Sequence, residues 1–276
     1  LAASIGMGLA LSGVVMQSIV QNPLADPYIL GLSSGSSLGA TMAIFFGLAD
    51  WFGVQAVGIC AFIGCLLVSL FIVYLAESNK SINNTVKLLL GGLALSDVCS
   101  SISSFVVYMG NNKQGIESAT YWLMGSVANA RLENVLVLLV IVVLAAIYFS
   151  SQSRNLNLLL LGNEQAITLG CDMRPTVIRY LLINSLVIGF IVFNSGTIGF
   201  VGLVIPHIVR SIFGSSHRKL LPIAVVFGGV FAVVMDIISR TMLSGIDIPL
   251  GVTFAIIGAP CFIYLMAQRR YKFGGM

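Results

Sequence analysis

The residues able to do chemistry in this sequence are few and scattered. Two histidines, His207 and His217, stand alone. His217 falls in a polar stretch and reads as a solvated loop residue, while His207, directly after Pro206, reads as one that caps or packs near a helix end. The cysteines at 60, 65, 99, 171 and 261 form no CxxC pair, and all but one fall in apolar runs, where Cys behaves as a small buried hydrophobe. Neither a metal site nor a disulfide is expected. The chain has no Gly-Lys pair, so it holds no phosphate-cradling P-loop, and it has no HExxH or GxSxG. No nucleophile–base pair is present, and covalent catalysis is not expected. What remains is a set of ionisable groups in apolar surroundings. Asp97 sits mid-way along LLLGGLALSDVCSSISSF (88–105), and Asp236 and Arg240 bracket DIISR. An ionisable group within an apolar span marks a functional position by default. Asp97 could touch a passing solute, or hydrogen-bond to Ser96, Ser100 or a neighbouring helix. Asp97 and Asp236 could instead carry protons or cations in an ion-coupled transporter. Arg240 suits docking to a carboxylate, which it can bind through two parallel bonds. It could equally snorkel to the interface, or neutralise Asp236 one helical turn away.

The elements that must position these groups follow from composition. Of 276 residues, 58% are hydrophobic and 9% charged, with a mean hydropathy of +1.01. A soluble domain carries about 25% charged residues. The chain is therefore an integral membrane protein. Its apolar runs do not alternate with polar residues as barrel strands do, and several approach the roughly 20 residues a spanning helix needs. The fold class is all-α, a polytopic membrane helix bundle. Nine spans are expected, near 1–19, 28–47, 52–76, 84–109, 133–151, 175–194, 199–212, 220–243 and 249–268.

Basic residues distribute unevenly about those spans. One side holds Lys80, Lys87, Arg154, Arg174, Arg179, Arg210, Arg218, Lys219, Arg269, Arg270 and Lys272, and the other only Lys113, Arg131 and Arg240. By the positive-inside rule the first side is cytoplasmic. This puts the C-terminus inside and Leu1 outside, so a further preceding helix is expected, making ten spans.

Four stretches stand out. QNPLADPYILG (21–31) carries Asn22-Pro23 and Asp26-Pro27. Proline cannot continue a helix and Asn or Asp before it initiates a turn, so a tight cytoplasmic turn is expected, with the next helix starting almost at once. Gly31, Gly35 and Gly39 share one helix face at a spacing of four, which lets another backbone approach. GTIGFVGLVIPHIVR (196–210), with Gly202 and Pro206, reads as a short, broken span lining a cavity or buried in protein. LNLLLLGNEQAITLGCDMRP (156–175) reads as a short helix, a turn and a second short helix on the inner side, either a docking element or an interfacial one. On the outer side, Tyr121 and Trp122 fit an interfacial aromatic belt.

Four ordered blocks, QNPLADPYILGLSSGSSLGA, IGFVGLVIPHIVR followed by HRKLLP, DIISR, and IPLGVTFAIIGAPCFIYL, together resemble the permease of type II ABC importers, the FecCD-type family that takes up iron-siderophores, haem and cobalamin. The resemblance runs from residue 1 to about 268. It implies a single permease domain over 1–276 whose first helix is missing, with a cytoplasmic coupling loop at 152–174. It implies pairing with a second permease copy, two cytoplasmic ATPase subunits and an extracytoplasmic binding protein, in a bacterial or archaeal inner or plasma membrane, with no nucleic acid. No cofactor would be bound by this chain; ATP and Mg would sit on the partner ATPase. The ATPase-coupling residues would be Leu161, Gly162, Glu164, Gln165, Ala166 and Gly170, with Gln165 departing from the usual alanine of an EAAxxxG loop. Arg240 would dock the binding protein. Asp97, Ser96 and Ser100 would line the translocation path, and Asn22, Pro23, Gly31, Gly35, Gly39, Gly202, Pro206 and His207 would be structural. The implied cargo is a ferric siderophore, haem or another iron complex, with cobalamin as the alternative.

Overall fold

A computed structural model describes residues 1–48, 53, 55–78, 85–243 and 247–267. Lys80, Arg269, Arg270 and Lys272 of the charge pattern lie outside them. The described residues fold into helices: α1 (Ala2–Val20), α2 (Leu32–Phe45), α3 (Ala56–Ser78), α4 (Thr85–Gly110), α5 (Lys113–Met124), α6 (Leu132–Ser151), α7 (Ser153–Leu159), α8 (Asn163–Thr168), α9 (Met173–Ser195), α10 (Val201–Phe213), α11 (His217–Thr241) and α12 (Leu250–Ala267). Six of these, α1, α3, α4, α6, α9 and α11, are long and apolar enough to cross a membrane. The shorter apolar helices α10 and α12 complete the bundle with α2.

The amphipathic α5 was not anticipated as a helix. It forms because Asn112 caps it, accepting from the Gln114 amide at 3.1 Å, and because apolar residues recur on one face.

Helix α1 is apolar on every side and almost wholly buried, which makes it the axis of the bundle. It packs against α6, α9, α10 and α11, while α2 packs chiefly against α3 and α4 and α9 joins the two groups. The closest crossings rely on missing side chains. A Cβ on Gly13 would lie 1.8 Å from the Gly202 carbonyl oxygen, so α1 and α10 meet backbone to backbone. The Gly31, Gly35 and Gly39 stripe does the same: Gly35 and Gly39 press on Gly64 and Cys60 of α3, and Gly31 presses on Gly92 and Ser96 of α4. Its role is helix packing.

The turn at 21–31 departs from expectation. Asn22 Oδ1 accepts from the Leu24 amide and Asp26 Oδ1 from the Tyr28 amide, both at 2.9 Å, so both Asx turns form. Yet α2 does not begin at 28. The chain stays non-helical to Gly31, whose φ of 85° a glycine accepts readily. Pro27 packs on Gly202 beside the Leu9 carbonyl, and Leu30 packs on Gly92. Leu9 lies 11 residues before Val20, about 16 Å at 1.5 Å per residue. The segment therefore doubles back into the bundle, and α2 starts at depth. Irregular backbone at such depth survives where protein surrounds it.

Candidate functional site

Four features carry the functional residues. The first is the pair α7–α8. Leu156 and Leu159 of α7 are fully buried, which seats it on the bundle. Gly162, at φ 94° and ψ 161°, breaks the chain between the two helices. Helix α8 is closed by the Gly170 amide donating to Ile167 O and the Cys171 amide to Ala166 O, both 2.9 Å, with Gly170 at φ 85°. The expected short helix, turn and short helix are thus present. Ala166 is buried, while Glu164 and Gln165 are exposed. Glu164 lies in the first turn of α8, where the helix dipole favours an acid. Around them Leu161, Ile167 and Leu169 stand 44%, 51% and 52% exposed. Exposed apolar side chains clustered on a loop suit contact with a partner protein or with the membrane interface. Ile167 and Leu169 were not singled out from sequence; their signal is apolar residues flanking the Glu-Gln-Ala core.

The second feature is a cavity of about 790 Å³ between α2, α4, α5 and the 197–199 stretch, lined by hydroxyls including Ser33, Ser34, Ser37, Ser100, Ser104 and Thr197 and by no charged residue. It is large enough for a drug-sized or larger organic ligand. Continuous with it is the third feature, the outward face of α4, where Asp97, Ser100, Ser101 and Ser104 are all exposed. Of the three expected path residues, Ser100 lines the cavity, Asp97 lies exposed one turn away, and Ser96 faces Gly31 inside the bundle. The anticipated bonds from Asp97 to Ser96, Ser100 or a neighbouring helix do not form: among the described residues its carboxylate has no hydrogen-bond or ion-pair partner.

The fourth is Arg240, whose Nε donates to Asp236 Oδ1 at 3.0 Å across one turn of α11. The two side chains are 47% and 22% exposed. Asp236 is thus neutralised locally through Nε, and the Arg240 side chain stays about half exposed.

The histidines correct the sequence reading. His217 is no loop residue: it opens α11 and is fully buried, with its ring between Ser18 and Asn157. His207 lies in the middle of α10, buried beside Pro206, and not near its end. Among the described residues no group of His, Cys, Asp or Glu could hold a metal ion. The cysteines there are all free.

Pro206 has a consequence that sequence did not reveal. It has no amide hydrogen, so the carbonyl of Gly202, four residues back, loses its helical partner. The Gln17 side chain of α1 donates to that carbonyl at 3.4 Å, and its Oε1 accepts from Arg210 Nη2 at 2.8 Å. Both side chains, Gln17 and Arg210, are buried, and the break in α10 is stitched to α1.

A membrane-embedded, all-helical bundle with an exposed two-helix loop and a spanning helix that turns hydroxyls and a carboxylate outward has the form of a transport permease. The chain belongs to the FecCD transport family, whose model matches residues 1–268. It is 36% identical over 277 residues to the hemin transport system permease protein of Yersinia pestis, covering 100% of this chain and 82% of that one. It is 39% identical over 272 residues to the cobalamin import system permease protein of Halobacterium salinarum, covering 99% and 72%. An inward-facing metal-chelate-type ABC transporter superposes with a TM-score of 0.88 at 34% identity, covering 97% of this chain and 83% of that one. The chain is therefore an ABC importer permease, as its sequence blocks implied.

Proposed function

We propose that this permease carries a bulky metal chelate inward, an iron complex such as a ferric siderophore or haem, with cobalamin as the alternative cargo. The observation that carries the reading is the outward face of α4. Lipid cannot hydrate Asp97, Ser100, Ser101 and Ser104 at mid-span, so that face fits a wet path, closed by a second permease copy. The hydroxyl-lined cavity beside it is wide enough for an organic chelate. Two cytoplasmic ATPase subunits would dock on the Leu161–Gly170 surface, whose exposed Leu161, Ile167 and Leu169 surround Glu164. An extracytoplasmic binding protein would dock near Arg240. The C-terminus would be cytoplasmic and the membrane a bacterial or archaeal inner or plasma membrane. ATP hydrolysis belongs to the partner subunits.

The relatives divide between hemin and cobalamin transport, which supports the substrate class and leaves the member to experiment. An ion-coupled carrier using Asp97 and Asp236 fits less well, because Arg240 already pairs with Asp236. The test is uptake of radiolabelled ferric siderophore, haemin and cobalamin in cells lacking this permease, with and without ATP depletion. Loss of one ATP-dependent uptake, restored by the gene, supports the reading. Unchanged uptake of all three, or uptake that follows an ion gradient after ATP depletion, overturns it.

A further inference from the structure

The residues linking the coupling loop to the bundle form a polar chain that runs from a half-buried Asn157 into the buried interior. Asn157 lies on α7, His217 at the first position of α11, and Ser18 near the inner end of α1. Asn157 Oδ1 accepts twice from His217, from the backbone amide at 3.1 Å and from ring Nδ1 at 2.7 Å. The first bond satisfies a helix-start amide that has no partner within α11. The cap of α11 is thus supplied by a side chain of the loop helix, 60 residues earlier. With the Nδ1 proton given to Asn157, ring Nε2 faces Ser18 Oγ at 2.8 Å. His217 and Ser18 are fully buried. Losing Asn157 or Ser18 costs free energy, because the buried His217 ring is then left with an unpaired nitrogen.

The two loop helices are held differently. Helix α7 packs against both α1 and α11, whereas α8 makes its main contacts with its chain neighbours α7 and α9. Helix α8 also sits between Gly162 and Gly170, both at positive φ with nothing within 4 Å of where a Cβ would be. We propose that Asn157, His217 and Ser18 are positioning residues that lock α7 to α1 and α11 as one rigid body, and that α8, the less anchored of the two loop helices, shifts between its flanking glycines and presses on that body when the ATPase closes. A push on α8 is then delivered through α7 to the two helices that frame α10, and is not lost in a floppy loop. The proposal rests on the reading of 161–170 as the ATPase-facing surface.

The test uses the full permease with its ATPase in nanodiscs, in a cysteine-free background, with pairs of spin labels. One pair joins Arg154→Cys on α7 to Lys219→Cys on α11; the other joins Thr168→Cys on α8 to Lys219→Cys. All three positions are exposed. On adding ATP and vanadate, the α8 pair should shift by about 2 Å or more, the scale of a helix shift in a switching protein. The α7 pair should hold still. In Asn157→Leu the α7 pair should broaden or shift, with the ATPase still bound. A merely structural role would lower yield and leave the distances unchanged.

If Asn157→Leu does not assemble, Ser18→Ala removes the Nε2 contact together with a local bond from Ser18 Oγ to Val14 O within α1, keeps both Asn157 bonds, and should broaden the α7 pair to a lesser degree. An α7 pair that moves with nucleotide in the native chain overturns the proposal. So does an unchanged α7 pair in whichever of the two variants assembles. An α8 pair indifferent to nucleotide, with the α7 pair still, defeats the ATPase-docking reading and the shift of α8 while leaving the clamp in place.

Discussion

Replacing Gly13 by alanine tests whether α1 and α10 meet as closely as the fold requires. Two effects compete. Alanine favours a helix interior over glycine by about 1 kcal/mol, and Gly13 lies well inside α1. Against this, the new Cβ would fall 1.8 Å from the Gly202 carbonyl oxygen, where real Cβ atoms essentially never come within 3.0 Å. The obstacle is backbone, so the helices must part by about 1.2 Å. That shift would lengthen the 3.4 Å bond from Gln17 to the same carbonyl. Overpacking of this kind costs about 1–3 kcal/mol, and a rigid obstacle places it at the upper end. The net expectation is destabilisation by about 2 kcal/mol. The assay is the thermal unfolding midpoint of the purified permease in detergent at a fixed scan rate. Gly199→Ala is the control: nothing lies within 4 Å of its Cβ position and its φ is not positive, so its midpoint should equal that of the native chain or exceed it. A Gly13→Ala midpoint at or above the native one would refute the close-crossing argument.

Glu164→Lys and Gly170→Val should each abolish ATP-driven uptake while the permease still inserts. The valine would occupy φ 85°, a conformation costing about 1–2 kcal/mol outside glycine; co-purification of the ATPase and uptake, measured together, check this. Arg240→Glu should change stability by less than about 1 kcal/mol, because an exposed pair contributes little, yet weaken binding-protein association, and that loss should shrink as salt screens the charges. Equilibrium binding at low and high salt decides it. Asp97→Asn should leave the thermal midpoint unchanged, since the carboxylate has no partner among the described residues, and should alter the uptake rate. A shifted midpoint with unchanged uptake would mean that Asp97 is structural.

Sequence alone determined the elements that depend on local composition. Apolar runs of spanning length, without alternation, can only be membrane helices, because lipid offers backbone groups no partner. The Gly31, Gly35 and Gly39 spacing announced a close helix crossing, and the Asn-Pro and Asp-Pro pairs announced their turns. The α7–α8 loop was legible because glycines and a polar core interrupt an apolar quartet within a few residues. What the tertiary structure decided is where distant segments meet. His217 stands in the polar run HRK, and local hydropathy says solvent; it is buried because Ser18 and Asn157, far away in sequence, satisfy its ring. Nor could turn chemistry say how far the chain stays unwound after Pro23. That is set by Gly202 and Gly92, whose missing side chains make room for Pro27 and Leu30. Asp97 is the remaining case. Its residue type was visible from the start, but only the packing of α4 shows that it faces out of the bundle, where a charge needs water or a partner and not lipid.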